Sequence, residues 1–355
     1  MQDPLYFPRE QLAYALIDGL QSGITHAFTL FAPRRMGKTQ FLLRDIAPLA
    51  ERQGFNVFYF SFMDGGAADF IQALNQFART IKTADRAKTA INAITKLEVM
   101  GIGIERKTER EATPTLPSQI IGAIAEDNRP SLLLLDEVQE LAHKPDSEHL
   151  IRSLRTGLDI HQRQIKTIFT GSSTNGLRAM FNDNKAPFFH FAHALDFPTL
   201  NREFTDFLAD IYQDRTGKTA DKSAFYRAFE QFSRTPLYMR ATVQDMIINP
   251  DLTLEQAAAY RLREMHESSG IIADWQRLNA LEQLVMRHIA QGHTSLYGKE
   301  AVKEISGALG TETKAANIQA AIRKLERKDL ITKKAGGIWT INRPLMEVWI
   351  NENTA

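Results

Sequence analysis

The 355-residue chain contains no cysteine. That excludes disulfides, thiolate catalysis and cysteine-ligated zinc. Nine histidines are present, none of them in an H-E-x-x-H arrangement, so no transition-metal site is expected. Charge of one sign is not in excess either: 43 Lys and Arg face 42 Asp and Glu, a formal net charge of +1. Any nucleic-acid surface must therefore be local rather than a property of the whole chain. No apolar run approaches the roughly 18–20 residues that a bilayer-spanning helix needs. The start, Met-Gln-Asp-Pro-Leu-Tyr-Phe, has neither a basic region nor an apolar signal core. The expectation is a soluble cytoplasmic protein with no membrane partner. There is also no fixed-period repeat and no low-complexity tract.

What is present is ordinary globular material, 43% hydrophobic and 24% charged, in a length that suggests two or three domains. From Gly23 to about Phe197, short apolar runs alternate with helical patterns. The runs are His26–Phe31, Phe55–Phe62, Leu132–Leu135, Lys166–Thr170 and His193–Phe197. Their length and their Leu, Ile, Val and Phe content mark buried parallel strands. Between them, Thr39–Arg52, Ala68–Lys82, Ser118–Asp127 and Glu148–Ile160 carry helical spacing. Such alternation predicts an α/β domain with helices on both faces of the sheet. Leu97–Lys107 departs from the pattern and reads as an extra hairpin or strand. After Asn201 the pattern is helical: Asn201–Arg215, Lys222–Ser233, Leu237–Ile248 and Leu254–Glu267.

One loop carries the chemistry. Ala32-Pro33-Arg34-Arg35-Met36-Gly37-Lys38-Thr39 fits the Walker A phosphate loop except at its first position, where Ala replaces Gly. Loop amides would face phosphate oxygens, Lys38 would reach the β- and γ-phosphates, and the Thr39 hydroxyl would ligate Mg²⁺. Gln40 opens the following helix, whose N-terminal dipole favours anions. A bare G-K-T tripeptide is weak, and the chain holds a decoy, Gly217-Lys218-Thr219. The decoy follows a helical pattern and reads as a polar helix end. The site at Gly37 has an apolar strand before it and an amphipathic helix after it. Ala32 costs little if its φ is negative and strains the loop if it must be left-handed.

Leu132-Leu133-Leu134-Leu135-Asp136-Glu137 ends an apolar run in two carboxylates, the form of a Walker B strand. Alone it could be a strand cap. After a phosphate loop it assigns Asp136 to Mg²⁺ and Glu137 to polarising the attacking water. The strand Phe55–Phe62 falls between the two motif strands in sequence, which fits the P-loop branch with an additional central strand. Lys166–Thr170 ends in Gly171-Ser172-Ser173-Thr174. A hydroxyl there can contact the γ-phosphate; Ser172 is the first choice and Ser173 the second, against a plain Ser-rich turn.

Taken in order, these elements resemble the archaeal-type ATPases of the AAA+/STAND group, relatives of origin-recognition ATPases. Phe7-Pro8-Arg9-Glu10 is similar to that family's F-x-G-R-E start, with Pro8 in place of Gly, which implies that Arg9 lies beside the adenine. Ala32–Thr39 with Gln40-Phe41-Leu42-Leu43 resembles its G-P-R-R-x-G-K-T-S-L-L block. Ser233-Arg234-Thr235-Pro236-Leu237-Tyr238 resembles its lid motif G-G-x-P-x-Y, which implies that Pro236 approaches the base; Arg234 replaces a glycine. Ala186–Ala192 aligns with S-P-L-Y-G-R-A, with His190 at the glycine and Phe191 at the arginine. If that arginine is a trans-acting finger, this chain lacks it there, and Arg152, Arg155 and Arg178 are the other candidates. The resemblance covers roughly residues 5–350. It implies a P-loop NTPase α/β core with a parallel sheet (1–200), a small helical lid (201–270) and a C-terminal winged-helix domain (271–355).

The C-terminal part supports that division on its own. Ala280–Gln291, Lys299–Leu309 and Thr311–Lys328 read as three helices. Leu330–Lys334, Ala335-Gly336-Gly337 and Ile338–Asn342 read as a hairpin. Three helices and a hairpin make a winged helix. From Gly270 on there are twelve Lys and Arg against nine Asp and Glu, a net of +3. Candidate DNA contacts are Thr313, Lys314, Asn317, Gln319, Arg323, Lys324 and Lys328 on the third helix, with Lys333 and Lys334 at the turn. Glu312, Glu326 and Asp329 dilute that face, and winged helices also pack against protein. The expected ligands are ATP and ADP with Mg²⁺. Double-stranded DNA, a protein partner and a homo-oligomer all stay open. The leading expectation is an ATPase coupled to DNA. A nucleotide-controlled signalling switch and a non-hydrolysing scaffold are the alternatives.

Overall fold

The computed structural model describes residues 3–83, 116–143, 147–172, 188, 191–268, 270–334 and 337–354. It contains the α/β core with a parallel sheet. The strands are β1 (Ala27–Phe31), β2 (Asn56–Ser61), β3 (Ser131–Asp136), β4 (Ile165–Gly171) and β5 (His193–Asp196), all parallel, in the order β2-β3-β4-β1-β5. Each grows from one of the five apolar runs. Every residue of β3 and β4 is buried, as interior strands of a parallel sheet are; β3 is apolar from Leu132 to Leu135, whereas β4 also buries Lys166, Thr167 and Thr170. The strand between the two motif strands in space is β4. β2, which lies between them in sequence, sits at the sheet edge beside β3.

Register decides where the site forms. Phe31 pairs with Gly171, and Leu135 pairs with Phe169. The C-terminal ends of β1, β3 and β4 are therefore level, and the residues after them gather at the sheet edge where open α/β sheets bind ligands.

Helix α1 (Glu10–Gln21) precedes β1, and a continuous helical segment follows it. That segment runs as α2 (Lys38–Phe41), a π turn (Leu42–Ile46) and α3 (Ala47–Arg52). The widening has a local cause in Pro48, which lacks an N–H and whose ring collides with the carbonyl four residues back. Just before it the ladder opens by one residue, and the Ala47 N–H donates to the Leu42 carbonyl. α4 (Ala67–Thr83), α5 (Pro117–Ala125) and α6 (Ser147–Ile160) follow. Residues such as Phe70, Leu74, Ile121 and Leu154 join Phe58, Phe60, Leu133 and Phe169 in one apolar cluster.

The chain divides into two compact units. One comprises Pro8–Ala32 and Lys38–Phe197; the other comprises Met1–Phe7, Pro33–Gly37 and Pro198–Ala355. The second unit holds α7 (Arg202–Thr216), α8 (Lys222–Gln231), α9 (Pro236–Ile248) and α10 (Leu254–Ser268) around Phe204, Leu208, Phe229 and Met239. Asn201 caps α7 and Asp221 caps α8 through side-chain bonds to backbone N–H groups. The decoy glycine, Gly217, has φ 70° and ends α7.

The same unit continues with α11 (Ile271–Gln276), α12 (Ala280–Ala290), α13 (Lys299–Leu309), α14 (Ala315–Arg327), the antiparallel pair β6 (Ile331–Lys333) and β7 (Trp339–Ile341), and α15 (Pro344–Asn353). A separate apolar cluster of Val285, Ile289, Ile305, Ile322, Leu325 and Ile331 holds these elements. α14 begins at Ala315 rather than at the expected Thr311. Gly310, at φ 66°, closes α13, and the Thr313 N–H donates to Ser306 Oγ at 3.0 Å, which holds the intervening residues as a turn. The hairpin expected at Leu97–Lys107 lies outside the described residues. No described helix is long and apolar enough to cross a membrane.

Candidate functional site

Asp136 ends β3 with 1% of its surface exposed. A carboxylate buried this deeply is costly unless hydrogen-bonded. Three hydroxyls from three other elements meet that need. Thr39, in the first turn of α2, donates to Oδ2 at 2.6 Å. Tyr59 of β2 donates to the same oxygen at 3.1 Å, and Thr170 of β4 donates to Oδ1. Their convergence follows from topology, since β2 and β4 flank β3. Burial, and next the adjacent Asp136 charge, push the Tyr59 phenol above its ordinary range. It therefore stays a donor at neutral pH.

Glu137 breaks from extended geometry with φ 53°, an uncommon region for a residue with a side chain. Its N–H donates to Thr170 Oγ1 at 3.3 Å. Consecutive strand side chains point to opposite faces. Leaving the strand conformation lets both carboxylates meet residues of the Lys38–Thr39 turn. Lys38 is buried; its Nζ donates to the Ala32 carbonyl at 2.8 Å and lies 3.9 Å from Glu137 Oε1.

A residue that motif reading passes over completes this cluster. Gln139 lies in the 3₁₀ turn Val138–His143. Its Nε2 is 2.5 Å from Glu137 Oε2 and 3.2 Å from Ser172 Oγ. The signal in sequence was only its place two residues after Glu137.

In the loop itself, Gly37 has φ 90° and Arg35 has φ 69°, while Ala32 is not left-handed. Alanine at the first position is therefore unstrained, and the strain falls on Arg35. Pro33, Arg34 and Arg35 are not buried, Met36 is buried, and Gln40 is half-buried. Within the second unit the Arg35 guanidinium stands 5.3 Å from the Tyr238 ring. Pro236 is buried at the start of the same helix. Just before it, Ser233 and Arg234 have φ 50° and 54°. These are the two positions where the resembled motif has glycine.

The structure brings Ala32, Lys38, Thr39, Asp136, Glu137 and Ser172 together. Arg9 is fixed by other contacts: its guanidinium lies 4.1 Å from the Phe197 ring, and its N–H donates to Asp45 at 3.0 Å. Phe191 is 3% exposed and packs edge-on with Phe169, Phe188 and His26. Arg155 stands 4.6 Å over its ring and pairs with Asp159, while Arg152 pairs with Glu148 one turn back. Burial first, and then the nearby Lys166 charge, lower the His26 pKa. Ser173 and Arg178 lie outside the described residues.

On α14, Asn317, Gln319, Arg323 and Lys324 are exposed, as are Lys314 just before it and Lys333 and Lys334 at the hairpin. The face opposite Ile318, Ile322 and Leu325 thus presents most of the expected set. Lys333 also stands 5.8 Å from the Trp339 ring, and Lys328 pairs with Glu282. Thr313 does not belong to this face. It is 6% exposed and its hydroxyl turns to the Thr311 carbonyl, because it builds the turn that starts the helix.

No protein-family model matches the chain, and no curated protein matches it in sequence. Solved structures do. A Walker-type ATPase of Pyrococcus abyssi superposes with a TM-score of 0.65 at 16% identity, over 98% of this chain and 96% of that one. The ADP form of the ORC2 protein of Aeropyrum pernix gives 0.58 at 14% identity over the same shares. Its ADPNP–ADP complexes give 0.53 at 15%. The chain has the fold of these archaeal Walker-type and ORC-like ATPases over nearly its whole length.

Proposed function

We propose that the protein is a Mg²⁺-dependent ATPase that couples its nucleotide state to double-stranded DNA through a C-terminal winged helix. The observation that carries this reading is the Thr39–Asp136 pair, a hydroxyl and a buried carboxylate 2.6 Å apart at the head of α2. These residues fit a nucleoside triphosphate with its metal. Thr39 and Asp136 would hold the magnesium ion, which would neutralise charge on the β- and γ-phosphates. Lys38 would exchange the Ala32 carbonyl for phosphate oxygens, and the loop amides would hold the rest. Glu137 positions and polarises the water that attacks the γ-phosphorus as the bond to the β-phosphate oxygen breaks. Ser172 senses the γ-phosphate. The chain acts in three parts, a core (1–200), a lid (201–270) carrying Pro236, and a winged helix (271–355). Lys314, Asn317, Arg323, Lys324, Lys333 and Lys334 would contact DNA.

ATPase rate measured with and without duplex DNA tests the whole reading. Lys38→Ala should abolish nucleotide binding; Glu137→Gln should bind nucleotide and not hydrolyse it. Native turnover by Glu137→Gln would overturn the assignment. Two observations favour a second reading, a nucleotide-controlled signalling switch whose winged helix contacts protein. Phe191 is core where the resembled family has arginine, and Thr313 is withdrawn from the α14 face. That reading predicts slow turnover, no DNA binding at low salt, and assembly that depends on nucleotide.

A further inference from the structure

We infer that Gln139 is a positioning residue for hydrolysis: its amide nitrogen ties the Glu137 carboxylate to the Ser172 hydroxyl, so the aim of Glu137 depends on what Ser172 touches. This rests on the hydrolytic reading above. Gln139 is buried, and its Nε2 faces acceptors on each side, Glu137 Oε2 at 2.5 Å, Ser172 Oγ at 3.2 Å and Glu140 Oε1 at 3.5 Å. An amide nitrogen carries two donors, enough to serve a carboxylate and a hydroxyl together.

Two features set this side chain apart from core filling. Its Oε1 is buried and, among the described residues, accepts no hydrogen bond, a cost that an apolar residue of the same size would avoid. It is therefore the nitrogen end that the site uses. Glu137, for its part, has left the strand conformation, and Lys38 at 3.9 Å is beyond hydrogen-bond range. Among the described residues, Gln139 supplies the hydrogen bond to the Glu137 carboxylate. Ser172 follows β4, the strand adjoining both motif strands. A change at Ser172 thus reaches Glu137 through one side chain.

The test is a double-mutant cycle on ATP turnover with Gln139→Met, Ser172→Ala and the pair, alongside nucleotide affinity. Gln139→Met keeps the size and removes the donors. Each single change should lower kcat by about 10- to 100-fold, and Gln139→Met, which acts through its neighbours rather than on the nucleotide, should hold nucleotide affinity within about twofold. The pair should be no slower than the worse single variant, because both break one linkage. Multiplying losses, or native kcat in Gln139→Met, would overturn the inference. Should Gln139→Met fail to fold, Gln139→Glu replaces donor by acceptor at equal length and should lose at least as much turnover; native turnover there overturns the inference equally. Wild-type turnover that Glu137→Gln abolishes is the control. Its absence would remove the hydrolytic reading itself, an outcome distinct from an additive cycle.

Discussion

Asp136 takes hydroxyl donors from α2, β2 and β4 and is sealed inside the sheet edge. Arg323 and Lys324 project from α14 into solvent, with Ile322 and Leu325 anchoring the helix beneath them. The first region is held by geometry that each residue imposes on the next. The second rests mainly on its apolar underside, with Lys328 paired to Glu282 at the helix end, and the exposed charges of Arg323 and Lys324 can change without disturbing the fold. Chemistry that needs a fixed carboxylate uses the first arrangement. Recognition of a charged surface, where long side chains must adjust, uses the second. Substitution should therefore cost stability and function together in one region and function alone in the other.

The largest effect that contrast predicts is at Asp136. Asp136→Ala should lower unfolding free energy by about 2–3 kcal/mol, since removing a buried acceptor strands its donors. It should also abolish the Mg²⁺ dependence of nucleotide binding. Chemical denaturation and nucleotide titrations with and without Mg²⁺ measure both. A variant as stable as wild type would mean that the three hydroxyls find other partners easily, and the contrast between the regions would fail.

A smaller effect on the molecule, though not on its ligand, is expected on α14. Arg323→Ala with Lys324→Ala should leave stability within about 0.5 kcal/mol, as exposed substitutions do. If the winged helix meets DNA, the log–log salt slope of binding should fall by about 2, roughly one for each phosphate that is no longer neutralised. Thr313→Ala supplies the internal comparison. It should disturb the turn after Gly310 and leave the slope unchanged. Equal slopes for all three proteins would detach this face from DNA.

How much of this could be read in advance divides along the same line. The strands were legible because runs such as Leu132–Leu135 are apolar without interruption, and only a covered sheet accommodates that. Lys38 with Thr39, and Asp136 with Glu137, could be singled out as candidates because each pair is adjacent within a short motif, the first lending meaning to the second. Tyr59, Thr170 and Gln139 were not, because the parallel register and one 3₁₀ turn bring them in, and no local pattern marks them. α1 and α15 went unread although each buries an apolar face. Pro48 was present in sequence, but its consequence, a π turn rather than a broken helix, depends on the continuous packing of α2 and α3. Thr313 reads as a helix-surface residue when the helical pattern is carried back to Thr311, whereas the helix starts only after its N-cap, Lys314.

The smallest predicted effect probes the lid turn, where side chains occupy conformations that suit glycine. Gly217 and Gly310 end their helices at φ 70° and 66° without strain, whereas Ser233 and Arg234 adopt φ 50° and 54°. A left-handed residue with a Cβ costs about 1–2 kcal/mol, and glycine returns part of that gain as greater freedom of the unfolded chain, about 0.5–1 kcal/mol. Ser233→Gly should therefore stabilise the protein by about 0.5 kcal/mol. Arg234→Gly should gain less, because Arg234 also pairs with Glu230 at 3.0 Å and stands 5.6 Å from the Tyr226 ring. That exposed pair is worth a few tenths of a kcal/mol. Thermal melts of the two variants should rank Ser233→Gly above Arg234→Gly, with wild type at or below both. A destabilised Ser233→Gly would mean that the serine holds this turn by something other than its backbone conformation.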